Sequence, residues 1–161
     1  MRRVRIGEVV AGAAGVVLLV AMFLDWYSVT PEVLFGAQDR QVRGVDAWGA
    51  FSVVDILMAI VALLGIALAL SQVIGRGPAL PVALGVITTT LALAGTLLVL
   101  YRILNQPGPN DLIKVEAGAY VGLLASLGVF LGAWLSLSDE RPRPADPPPP
   151  EPERRPTPAR S

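Results

Sequence analysis

Four stretches of this chain are long and apolar enough to settle its fold class before anything else is weighed. They occupy residues about 7–24, 53–72, 79–100 and 117–137. A bilayer core of about 30 Å is crossed by roughly 20 apolar residues at 1.5 Å per helical residue, and the four stretches have that size. Their Leu, Val, Ala, Ile and Gly show no period-2 alternation, which speaks against a membrane β-barrel. Spanning helices are the economical solution, because lipid offers no partner to an open backbone. The expectation is an all-α bundle of four transmembrane helices over residues 1–137, with loops at 25–52 and 101–116. A disordered Pro-rich tail follows over 138–161, where nine of the fourteen prolines stand and little apolar surface is left to bury.

The charged residues orient this bundle. Arg2, Arg3 and Arg5 precede the first stretch, Arg76 lies in the turn between the second and third, and Arg141, Arg143, Arg154, Arg155 and Arg160 follow the fourth. That side holds nine of the thirteen basic residues, so the expected location is the plasma (cell inner) membrane with both termini cytoplasmic. The first stretch has the Arg-rich start of a secretory signal but no A-x-A-like cleavage site, and is read as an uncleaved span.

Chemistry has little to work with. There is no His and no Cys, and thirteen Lys+Arg balance thirteen Asp+Glu. Thiol and imidazole catalysis and Cys/His zinc sites are thereby excluded, and no basic surface for nucleic acid is indicated. No cofactor, metal site or catalytic set is expected, and an enzyme is the weakest functional class. Glu8 stands in the first turn of the first span, where a carboxylate suits the helix dipole and can meet Arg5. It lies too near the end for the membrane-embedded Glu that small four-span multidrug exporters use. Asp55 closes an S-x-x-D helix start from Ser52 and is read as part of a cap; the alternative is a polar site with Arg102, which ends the third span on the same side. Thr88, Thr89 and Thr90 can line a polar path or bond back to their own helix.

Architecture is better marked. Gly118, Gly122, Ala125, Gly128 and Gly132 recur at spacings of three and four and form a smooth packing stripe in the fourth span. Packing inside the bundle is the main reading, homo-oligomer contact the other. Trp26, Tyr27 and Trp48 flank the first two spans as interface anchors toward the lipid bilayer. Between them, residues 29–35 and 41–45 around a turn at 36–39 suggest a short hairpin. The loop's Trp and its Gly44-x-x-x-Trp48 also resemble the first extracellular loop of claudin-type tetraspan proteins, but the paired cysteines of that loop are missing and the likeness is set aside. In the tail, Arg141-x-x-Pro144-x-x-Pro147 fits the pattern read by SH3-type grooves, though so Pro-rich a segment matches it by chance.

Several strings taken together carry a wider resemblance: Ala47-Trp48-Gly49-Ala50-Phe51-Ser52-Val53-Val54-Asp55, Leu100-Tyr101-Arg102-Ile103-Leu104, Pro107-Gly108-Pro109, and the segment from Gly118 to Glu140. Over about residues 5–141 the chain resembles uncharacterised small four-span integral membrane proteins of high-GC actinobacteria. A Leu-Pro-Trp-Tyr-like string is usual there at the end of the first span, where this chain reads Leu24-Asp25-Trp26-Tyr27. The resemblance implies the topology and no catalytic residue. The functional expectation is a non-enzymatic accessory or scaffold protein with a membrane-protein partner or a cytoplasmic partner for its tail. The alternative is an oligomeric small-solute or ion transporter with Asp55 and Arg102 at its outer mouth.

Overall fold

The computed structural model describes residues 6–29, 43–50, 53–74, 79–106 and 113–139. Helix α1 (Ile6–Ala21) leads into strand β1 (Asp25–Val29); strand β2 (Arg43–Asp46) and the single turn α2 (Ala47–Ala50) follow. Helices α3 (Val54–Ile74) and α4 (Ala79–Leu104), strand β3 (Ile113–Val115) and helix α5 (Ala117–Asp139) complete the order. The expected hairpin turn, Ser52, Arg76 and the tail beyond residue 139 lie outside the described residues.

Three helices, α3, α4 and α5, are long and apolar enough to cross a membrane. Helix α1 is apolar but has 16 residues, about 24 Å at 1.5 Å each. It closes early because its last amides tighten: Phe23 N–H donates to Val20 and Leu24 N–H to Ala21, both at 3.1 Å. Pro81 stands in the first turn of α4, where a missing N–H breaks no helical bond.

Neighbouring helices run antiparallel. Gly7 lies against Gly132 and Ser136 while Gly118 lies against Asp25, so α1 follows α5 along its length. Gly15 meets Ala62 and Ile66 of α3, Gly95 meets Met58 of α3, and Gly85 of α4 meets Leu137 of α5. The ring α1–α3–α4–α5 is closed by α1 against α5. Backbones approach very closely at that closure, where a Cβ on Gly7 would stand 2.6 Å from Gly132 O and from Ser136 N, and also between α1 and α3, where one on Gly65 would stand 2.7 Å from Ala11 O. Small residues are what permit this.

The bundle has an apolar core, but its outer surface is unlike that of a water-soluble bundle. Val9, Val16, Val17, Val20, Ile60, Leu63, Leu93, Leu97, Leu124 and Leu131 are exposed, whereas Glu8, Asp55, Thr88, Thr96, Ser126 and Ser136 are buried. Contiguous apolar surface on every long helix is the mark of a lipid-facing wall.

The chain is mostly helical but not all-α, which corrects the sequence expectation. An antiparallel sheet of order β2-β1-β3 caps one end, drawing on both loops. Tyr27, Ser28 and Val29 pair with Val45, Gly44 and Arg43 on one side and with Val115, Lys114 and Ile113 on the other. Of the hairpin expected from 29–35 and 41–45, Val29 pairs with Arg43, and Gly44 and Val45 lie in β2; residues 30–42 lie outside the described residues. A register shift between Asp25 and Tyr27 marks a bulge at Trp26. Alternation would send Trp26 and Tyr27 to opposite faces, and the bulge lets both turn into the bundle.

Gly132→Val should lower stability by about 1–3 kcal/mol, because the added atoms meet the α1 backbone, which has no rotamer to yield. Leu131→Val, on the exposed neighbouring position, should leave it within about 0.5 kcal/mol. Helicity followed through an SDS titration of mixed micelles measures both.

Candidate functional site

The sheet end of the bundle gathers most of the functional side chains. Trp26 is wholly buried, and its indole N–H donates to Ala21 O at 2.8 Å, a second donor to the carbonyl that also accepts Leu24 N–H at the end of α1. Its ring fills the notch left by Gly118 and Gly122: a Cβ on Gly118 would stand 2.9 Å from Trp26 Cδ1, and one on Gly122 2.7 Å from Cη2. Tyr27 is buried beside it and donates its hydroxyl to Arg102 O at 3.1 Å, joining β1 to the end of α4. These two aromatics were expected at the lipid interface. The structure places them in the core instead, because β1 folds back over the bundle; Trp48 alone of the three expected anchors is exposed.

Burial holds the Tyr27 phenol up at about 12 against an ordinary 10.0, and the Arg102 charge opposes part of that rise. The neutral phenol is also the form that can donate to Arg102 O.

Glu116 was not anticipated from sequence, and it organises the join between β3 and α5. Its amide donates to Trp26 O at 2.9 Å, its carboxylate accepts Ser28 Oγ–H at 2.5 Å, and its carbonyl accepts the Ala119 amide at 3.2 Å. Asp46 Oδ1 accepts the Gly49 amide at 2.8 Å, a side-chain cap for α2. Ala47 N–H reaches Met22 O at 3.3 Å, tying α2 to the end of α1.

Asp55 is buried in the first turn of α3, where its Oδ1 accepts the Ile56 amide at 2.7 Å. Arg102 stands at the same end, with its carbonyl engaged by Tyr27. The two share a level, and their described hydrogen bonds run to different partners.

Inside the bundle most hydroxyls bond to helices, whereas buried Thr88 Oγ1 has no hydrogen-bond partner. Thr89 donates to Gly85 O at 2.7 Å and Thr90 to Val86 O at 3.0 Å; Thr88 and Thr89 face inward while Thr90 faces outward. The three threonines therefore do not line one path. Thr96 Oγ1 and Ser126 Oγ lie 3.2 Å apart across α4 and α5, each also within reach of a carbonyl on its own helix. Toward the termini, Ser136 Oγ donates to Glu8 Oε1 at 3.1 Å, a link between the first turn of α1 and the last of α5. Ser136 lies one step of four beyond Gly132, so spacing alone put it on the packing face. Among the described residues no group of three His, Cys, Asp or Glu could hold a metal ion.

The packing stripe also acquires definite neighbours. Gly118 and Gly122 seat Trp26, Ala125 is buried in the same core, and Gly128 and Gly132 face Ala14 and Ala11 of α1. The chain matches no protein-family model and no curated protein.

Tyr27→Phe should cost about 1 kcal/mol at neutral pH, leaving Arg102 O without its donor. The natural protein should also lose stability as pH rises from about 10 to about 12, because the unfolded phenol ionises at 10.0 while the folded one resists to about 12. Below pH 10 this contribution is complete. Melting temperature against pH should show that alkaline loss shrinking in the Phe variant.

Proposed function

We propose that this chain is a four-span integral protein of the plasma membrane with both termini cytoplasmic, serving as a non-enzymatic accessory or scaffold. The observation that carries the reading is the commitment of most buried polar groups to the fold itself, the Thr88 hydroxyl being the exception among the buried hydroxyls described. The carboxylates of Asp46 and Asp55 cap helix starts, Glu8 and Glu116 accept from serines, and Thr96 meets Ser126. A solute path needs polar groups turned toward a lumen. Here Trp26, Tyr27, Met22 and Met58 fill the sheet end of the core.

The span count rests on packing. Helix α1 is short by itself, yet Gly7 lies against Ser136 and Asp25 against Gly118, so α1 with its closing turn covers the length that α5 covers. A segment packed end to end along a spanning helix shares its slab. The excess of arginine before α1, between α3 and α4 and after α5 supports the orientation, with the sheet outside the cell. In this reading the lipid wall binds the bilayer, the sheet end is presented to partners on the outer side, and residues 138–161 reach cytoplasmic partners. The likeness to small actinobacterial four-span proteins fits the same topology, and the proposed role involves neither nucleic acid nor cofactor.

Native mass spectrometry of the complex drawn from its own membrane into lipid-preserving polymer discs tests this. A stoichiometric second protein is expected, released by deletion of 138–161 or by disruption of the sheet through Ser28→Leu. A homo-oligomer without other protein would overturn the reading in favour of transport, especially if Asp55→Asn abolished flux in liposomes while the fold held. A lone monomer in every preparation would also overturn it.

A further inference from the structure

Four exposed aromatics stand at one height on the bundle. Phe23 is 67% exposed, Trp48 40%, Tyr101 55% and Tyr120 52%. Their common level follows from the antiparallel packing. On α1 and α5, Gly7 faces Ser136, Ala14 faces Gly128 and Asp25 faces Gly118, which sets Phe23 beside Tyr120. On α4 and α5, Gly85 faces Leu137 and Thr96 faces Ser126, which sets Tyr101 at the same height. Trp48 joins them through its ring, 6.0 Å from that of Phe23.

These side chains do not form one patch. Helices α1 and α4 are separated in the ring by α3 on one side and α5 on the other, so Phe23 and Tyr101 look out from opposite corners. A docked protein would ask for a patch on one side. A plane of contact around the bundle asks for a collar.

Resting on the four-span reading, we infer that this collar marks the headgroup boundary of the outer leaflet and fixes how deep the protein sits. Tyr and Trp prefer that zone because one end of each is apolar and the other wet. Tyr101 has this orientation: its hydroxyl accepts Asn105 Nδ2–H at 2.7 Å, one turn nearer the sheet. Buried Asp55 begins α3 near this level, and the sheet lies beyond it in water. Exposed apolar side chains continue from the collar to Ile6 on α1 and Leu135 on α5, and exposed Ser138 and Asp139 follow. Seventeen steps from Ile6 to Phe23 give a hydrophobic height of about 26 Å, a little less than the usual roughly 30 Å. The short α1 thus sets a thin slab, and the protein seats best in bilayers of that thickness.

The chain has no cysteine, so single nitroxides introduced through Phe23→Cys, Trp48→Cys, Tyr101→Cys and Tyr120→Cys report depth directly. Val17→Cys and Leu127→Cys serve as deeper references, placed in vesicles of dioleoyl phosphatidylcholine and phosphatidylglycerol. Power saturation with oxygen and a nickel chelate should put the four collar labels within about 4 Å of a common depth near the headgroups. The references should lie about 10 Å deeper, at 1.5 Å per residue. Collar labels scattered over more than about 8 Å, or sitting in bulk water above embedded references, would overturn the inference and leave the four-span reading intact. References that themselves report bulk water would overturn both. If a labelled variant fails to insert, Trp48→Phe carries the test in a Trp134→Phe background, because Trp134 is itself 47% exposed at the other end of the bundle: it should remove quenching by lipids brominated near the headgroup, and unchanged quenching would refute the collar.

Discussion

The close contact between α1 and α5 is the constraint on which the rest of the structure depends. It brings the first helix of the chain against the last, closes the ring of four, and does so at a separation only glycine and alanine allow. At its sheet end the same stripe changes function, and Gly118 and Gly122 leave the notch that Trp26 fills. A seated Trp26 holds β1 over the bundle, and β1 in turn offers an edge to each loop. Widening that notch would reach the helices and the sheet together. A large aromatic buried whole is worth about 3–5 kcal/mol by truncation, comparable to much of a small domain's net stability.

Polarity is distributed by the same logic. In lipid an unpaired polar group costs several kcal/mol, so the outer wall is almost entirely aliphatic and the hydroxyls and carboxylates turn inward or toward the ends. Once inside they must be satisfied locally. Glu8 with Ser136, Thr96 with Ser126, and Ser28 with Glu116 each join two segments distant in sequence. They fix the registration of helices whose lipid-facing sides, being uniformly apolar, would tolerate sliding.

The helices were legible from sequence because an apolar run of about 20 residues has few other uses. Observed ends at Ile74, Leu104 and Asp139 fall within a few residues of the expected 72, 100 and 137. The sheet was only half legible. Strand β3 is three residues of Ile-Lys-Val whose partner β1 lies some 85 positions earlier, and no local period announces such a pairing. The aromatic residues misled for a related reason: at the end of an apolar run, a Trp bound for the headgroups and a Trp bound for the core read alike. What separates them is the notch on α5, and the Gly118 and Gly122 spacing that creates it was visible without its occupant. Asp55 was read as a helix-start residue and accepts an amide of its own first turn. Arg102 lies at the same end of the bundle, and the Tyr27 hydroxyl that meets its carbonyl comes from a strand the pattern did not reveal.

The account turns on α1 crossing the membrane together with α3, α4 and α5, and the side on which the N-terminus lies decides it most directly. In intact cells, Arg3→Cys should resist a membrane-impermeant maleimide until the membrane is permeabilised, while Lys114→Cys, on the exposed strand β3, should react at once. Labelling of both positions from outside would contradict the account, because a bundle of three spans puts the N-terminus on the same side as the sheet.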